Sequence, residues 1–169
     1  MDHLEVGKII NTHGLRGEVK VAPWTDAPEV FEDIKRVFIK KNEEEMPLEI
    51  VHIKYQKNNI IVKFKELSDI NEAERLKNSV LYADRSELGE LPDGVYYIAD
   101  LIGMEVKRED KSLIGILKDV LQTGANDVYV VGREGEKELL IPVIDSVVLS
   151  VDTDNKEIIV RLPDGLEDL

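Results

Sequence analysis

An all-β fold of two small β-barrels in tandem, with one or two short helices, is what this 169-residue sequence predicts. Three observations carry that expectation. Short β-prone runs follow one another with brief polar turns between them, the pattern of barrels and sandwiches. Clear helical spacing occurs in only one or two places, so the strand–helix alternation of a parallel sheet is missing. One stretch, residues 85–94, breaks all periodicity with Gly89, Pro92 and Gly94 and reads as a linker. The expected boundaries are therefore 1–84 for a first barrel, 85–94 for the linker and 95–169 for a second barrel. Closing each sheet on itself also removes exposed edges.

The first barrel opens with two runs, Val6 to Ile10 and Glu18 to Ala22, around the loop Asn11 to Gly17. Gly14 and Gly17 permit backbone angles that residues with a Cβ rarely adopt, which lets the loop hold Leu15 and Arg16 outward. A plain hairpin and a binding tip are both open on this pattern. A phosphate loop does not fit, because the Gly-x-x-x-x-Gly-Lys-Ser/Thr spacing is missing and no helix follows. An RNA-clamping Gly-x-x-Gly loop belongs between helices. Next, Asp26 is the expected N-cap of a short helix with Pro28 in its first turn and Val30, Phe31 and Ile34 on one face. Arg36 to Lys40 reads as a strand, and Asn42 with three glutamates as the turn after it. Leu48 to Gln56 alternates, which predicts Val51, Ile53 and Tyr55 on one face with His52 and Lys54 on the other. Lys57-Asn58-Asn59 closes a hairpin, with asparagine expected to take the left-handed conformation. Ile60, Val62 and Phe64 are the inner face of the returning strand. Ser68 is the expected cap of a helix with Asp69 and Glu72 in its first turn, Ile70, Ala73 and Leu76 at helical spacing, and Asn78 at its end. Ser79 to Ala83 returns to strand.

In the second barrel the expected strands are Met104 to Lys107, Leu113 to Leu121, Asp127 to Val131, Leu139 to Ile141, Val147 to Asp152 and Glu157 to Arg161. The tail from Pro163 to Leu169 is expected to pack weakly or fray.

Composition excludes several function classes. There is no cysteine, which fits a reducing compartment. No window approaches the ~20 apolar residues of a membrane span, and Met-Asp-His-Leu-Glu lacks the layout of a signal peptide. The sequence thus predicts a soluble cytoplasmic protein. The three histidines, His3, His13 and His52, fall at no metal-ligand spacing, and no nucleophile motif or dinucleotide fingerprint is present. No metal, cofactor or catalytic residue is expected. His13 beside Arg16 is the one cationic, titratable loop with a catalytic look. The formal net charge is −13. Residues 1–90 carry 14 Lys and Arg against 18 Asp and Glu, and residues 91–169 carry 8 against 17, so the charge divides as −4 and −9. A field of that sign repels polyphosphate and attracts basic proteins, and the second half has little material for a phosphate-binding face.

Tyr96 and Tyr97 stand side by side just after the linker. On one strand they would point to opposite faces, and in a helical turn about 100° apart. At least one ring is expected at the surface or at a joint between barrels, where tyrosine combines large area with a polar tip.

Gly7 to Val21 (Gly-Lys-Ile-Ile-Asn-Thr-His-Gly-Leu-Arg-Gly-Glu-Val-Lys-Val) resembles the amino-terminal signature of the ribosome maturation factor RimM family. Tyr96 to Gly103 resembles the start of that family's second, PRC-type barrel, and Thr123 to Val131, Leu139 to Pro142 and Leu162 to Leu166 continue the match in order. The resemblance implies a translation-factor-like barrel followed by a PRC-type barrel. It implies a non-enzymatic assembly factor for late maturation of the small ribosomal subunit, supporting 16S rRNA processing. Its partners would be the pre-30S subunit and ribosomal protein S nineteen of the subunit head, with no membrane and no small-molecule substrate. Partner binding maps onto Tyr96 and Tyr97, with Asp100 and Leu101 beside them. Ile98 and Ala99 replace the usual Trp-His after the pair, so the local surface is less aromatic and does not titrate. His13, Leu15, Arg16 and Lys20 are the candidate ribosome or rRNA contacts of the first barrel, the alternative being a protein that binds rRNA directly through that barrel, with Lys8, His13, Arg16 and Lys20 as its basic patch. An acidic second barrel suits a basic ribosomal protein by complementary charge.

Overall fold

The computed structural model describes residues 3–88 and 91–168. Gly89 of the expected linker, and Leu169 of the tail, lie outside the described residues. The chain divides into two compact units, Met1–Ala99 and Asp100–Leu169. No helix among the described residues is long and apolar enough to cross a membrane.

The first unit is a closed barrel of six strands: β1 (His3–His13), β2 (Glu18–Pro23), β3 (Arg36–Lys41), β4 (Glu44–Gln56), β5 (Asn59–Phe64) and β6 (Val80–Asp84). Their order around the barrel is β1-β2-β5-β4-β3-β6. Period-two alternation sets the two faces: Val19, Val21, Ile60, Val62 and Phe64 point in and are fully buried. Phe31, Ile34, Leu67, Ala73 and Leu76, from the connections between strands, join the same core.

Three local expectations are corrected. Residues Pro28–Glu32 form a 3-10 turn, not an α-helix capped by Asp26. Asp26 is exposed. Ala27 is the N-cap, no side chain caps the turn, and the buried Thr25 hydroxyl accepts the Ala27 N–H at 3.3 Å just before it. In α1 (Ile70–Glu74) the cap is Asp69, whose carboxylate accepts the Glu72 N–H at 2.9 Å. Ser68 instead donates its hydroxyl to the Glu72 carboxylate at 2.7 Å, one residue outside the helix. Asn78 does stop the segment, in the left-handed conformation at φ 73°. At the β4–β5 turn the left-handed residue is Lys57, at φ 53°, and not an asparagine.

The alternation read into β4 holds only in part. The β4–β5 register shifts between Ile50 and His52, a bulge at Val51. A bulge adds one residue and re-aims those beyond it. Val51 is left 57% exposed and Tyr55 is also exposed, so the distal half of β4 buries neither large side chain.

The second unit follows α2 (Ile98–Leu101), which spans the division between the units. It is a six-stranded sheet of β7 (Glu105–Arg108), β8 (Leu113–Leu121), β9 (Val128–Gly132), β10 (Leu139–Pro142), β11 (Val148–Asp152) and β12 (Glu157–Val160). The ladder runs β10-β9-β8-β7-β12-β11, and β12 pairs with β7 in parallel. Cross-strand partners Leu139, Val131 and Leu117 share the buried face, as do Ile141, Tyr129 and Val120. The tail is mostly exposed, as weak packing implies, and its Glu167 pairs with the Arg108 guanidinium at the surface.

Candidate functional site

Two places carry the residues singled out from the sequence. The first is the β1–β2 loop. Leu15 stands 79% exposed at its tip, and Arg16 beside it is exposed. Gly17 has φ +86°, and a Cβ there would meet the backbone of Leu67 and Asp69 at 3.0 Å. The chain therefore passes hard against the loop that leads into α1, and only glycine fits. Lys63 braces the same place. Its ammonium donates to the Arg16 carbonyl at 3.0 Å and to the Leu67 carbonyl. Gly14, at φ +76°, meets nothing within 4 Å and serves the turn alone. The tip is thus held from behind while its front is open. His13 is half-buried and pairs across the ladder with Glu18, and Lys20 lies two residues further along β2 on the same face.

The second place is the segment Tyr96 to Leu101. The two rings part company. Tyr97 is 6% exposed and belongs to the core of the first unit, where it bridges to Thr25. The Ile98 N–H donates to the Trp24 carbonyl at 3.0 Å and fixes the same register. Tyr96 and Asp100 are half-buried, and Leu101 is buried. Ile98 and Ala99, which stand where an aromatic-imidazole pair was expected, are half-buried, and Ala99 packs against the core of the first unit. The division between the units falls after Ala99, and Tyr97 and Ala99 pack with the core of the first unit.

The second unit is the more anionic. Residues 1–99 carry 14 Lys and Arg against 19 Asp and Glu, and residues 100–169 carry 8 against 16, so the units bear −5 and −8. Several of its carboxyls are held below their ordinary range. The hydrogen bond from Arg161 does this to Glu109, and that from Lys111 to Glu157. The Ser112 hydroxyl and N–H do it to Asp110, and the Asn155 N–H and side chain to Asp152. Each stays ionised well into mild acid. The described residues gather no group of three histidines, cysteines or carboxylates able to hold a metal.

Lys63 was invisible as a loop brace in the sequence. Its bonded carbonyl at Arg16 is 47 residues away, and a lysine one position from the end of a strand carries no mark of it.

The RimM N-terminal domain model matches residues 4–88, and the RimM PRC barrel domain model matches residues 98–166. A ribosome maturation factor RimM of Acetivibrio thermocellus is 45% identical over 170 residues, covering 99% of this chain and 98% of the relative. The RimM of Ruminiclostridium cellulolyticum is 44% identical over 168 residues, covering 99% of each chain. A crystal structure of a RimM chain from Pseudomonas aeruginosa aligns with 33% identity and a TM-score of 0.48, covering 96% of this chain and 98% of that one.

Proposed function

The chain belongs to the RimM family, and on that premise we propose that it is a non-enzymatic factor for late maturation of the small (30S) ribosomal subunit. It supports 16S rRNA processing in the cytoplasm by docking on the subunit head through a basic ribosomal protein, for which S nineteen is the expected partner. The observation that carries this reading is the full-length match to relatives named ribosome maturation factor RimM.

The physical support is charge and exposure. An anionic second unit attracts a protein that is basic because it neutralises RNA, and its own field disfavours bare phosphate. Within the segment from Tyr96 to Leu101, Tyr96 and Asp100 are half-buried and so remain partly exposed to a partner. Tyr97 and Leu101 are buried and hold that segment in place. In the first unit, His13, Leu15, Arg16 and Lys20 form the rRNA-facing contact, favoured by a tip that is rigid behind and open in front.

Co-sedimentation of the purified protein with immature small subunits tests the reading. Binding is expected to weaken as salt rises, mostly through slower association. Affinity that stays constant from about 50 to 500 mM salt removes electrostatics from the account. Failure to sediment with small subunits of any stage removes the function.

A further inference from the structure

We propose that the outward wall of β1, β2, β5 and β4 is a binding surface for the phosphate backbone of RNA, read without regard to base sequence. This rests on the reading of the chain as a factor that works on the immature subunit, and it extends the contact from one loop to a whole sheet face.

Register places the residues. Lys8 lies opposite Ala22, and Lys20 opposite both Asn11 and Ile61. Lys54 lies opposite Ile61, and His52 opposite Lys63. His13 lies opposite Glu18. Cross-strand partners share a face, and the face is the outer one, because Val19, Val21, Ile60 and Val62 between them are fully buried. Across these outward positions the charged groups are four lysines and Glu18, with two histidines, in a chain whose net charge is −13. Glu18 has a counter-charge already, with Lys54 at 3.5 Å. Lys63 is turned toward the loop carbonyls and keeps Arg16 at the rim. Of the other acids on or beside these strands, Glu49 stands on β4 before the bulge and pairs with Lys65 at 3.7 Å. Asp69 and Glu72 serve the start of α1, and Glu5 lies further along β1, opposite Tyr82.

Ile61 shows how the lysines lie. It points outward yet is only 2% exposed, with Lys20 and Lys54 as its partners on either side. Long lysine stems cover apolar surface and carry their ammonium groups out to water. A rigid sheet spaces those groups a strand apart, about 4.8 Å, or two residues apart along a strand. Asn11, Asn59 and Gln56 add neutral donors on the same face. No Phe, Tyr or Trp stands among these positions, so bases have no stacking platform. Ammonium and amide donors without aromatic rings contact phosphate and sugar, which positions a nucleic acid and does not read its sequence.

The test titrates the full chain against a fluorescein-labelled RNA hairpin of mixed sequence, and against a second hairpin of scrambled sequence. Both are expected to bind equally, with affinity falling steeply as salt rises. The double variant Lys20→Glu with Lys54→Glu is expected to lose about tenfold or more. Lys118→Glu with Lys137→Glu, on the second unit, is expected to change nothing. Thermal melts confirm folding, and Lys8→Gln with Lys20→Gln, expected to lose severalfold, replaces the first pair if it does not fold. Unchanged hairpin binding in the folded wall variants overturns the proposal. So does poly-glutamate peptide competing as well as RNA, which would make the wall a site for an acidic protein segment. If wild-type protein still sediments with immature subunits while either result holds, the wall fails alone. If it does not sediment, the reading beneath it fails too.

Discussion

Tyr96 and Tyr97 differ in what their rings can do. Tyr97 lies in the core of the first unit, and alanine there removes a buried aromatic. The expected cost is about 3 kcal/mol or more, read from urea denaturation. Tyr96 is half-buried. Tyr96→Ala is expected to cost less than half as much in stability and to weaken association with immature small subunits. A double alanine variant would mix the two effects, so the single variants are the informative ones. Gly17 is the other residue whose role a substitution isolates. Alanine there meets backbone at 3.0 Å and a positive φ, so a loss of about 1–3 kcal/mol is expected. Gly14→Ala has open space around it and costs about 1 kcal/mol from conformation alone. Equal losses at both glycines would count against the close approach to the α1 entry.

At the scale of an element, β4 changes character along its length. Before the bulge at Val51 it packs Leu48 into the barrel; beyond it Ile53 packs half-buried against the core, while Val51 and Tyr55 are exposed. Val51→Asp is expected to leave stability within about 0.5 kcal/mol. Val62→Asp, one strand away and fully buried, is expected to abolish folding of the first unit, since it buries an unpaired carboxylate. The β1–β2 loop behaves as an element because two connections hold it. Lys63→Met keeps the stem and removes the ammonium bonds to the Arg16 and Leu67 carbonyls. Amide exchange in residues 14–17 is expected to speed up by an order of magnitude or so, with little change in the denaturation midpoint. Unchanged exchange would show that Gly17 alone fixes the tip.

Across the whole molecule the acid response has a definite sign. Glu109, Asp110, Asp152 and Glu157 titrate below their ordinary values because hydrogen bonds favour the ionised forms. Each therefore favours the folded state at pH above the ordinary carboxylate range, and loses that contribution as pH falls through its lowered value. The second unit is expected to melt at progressively lower temperature as pH drops from about 5 toward 3, and to be insensitive between about 6 and 8. Arg161→Met removes the main cause at Glu109 and should shallow that slope. A slope unchanged in the variant would place the acid sensitivity elsewhere.

Much of the architecture was legible because strand period, turn residues and apolar alternation are local properties. The six strands of the second unit were readable to within a residue or two, and Ile60, Val62 and Phe64 face the core as their spacing implies. The charge imbalance and the paired tyrosines were legible for the same reason. What escaped were relations between distant residues. The bulge at Val51 depends on how β5 pairs, and the cap of α1 on where the chain turns after Phe64. The core seat of Tyr97 depends on a bridge to Thr25, and the basic wall exists only once four strands come into register. Sequence alone determined which segments are strands and where charge accumulates, since both follow from residue type and spacing. Only the tertiary structure decided which tyrosine is buried and which lysines share a face, because cross-strand pairing joins residues that no local pattern connects.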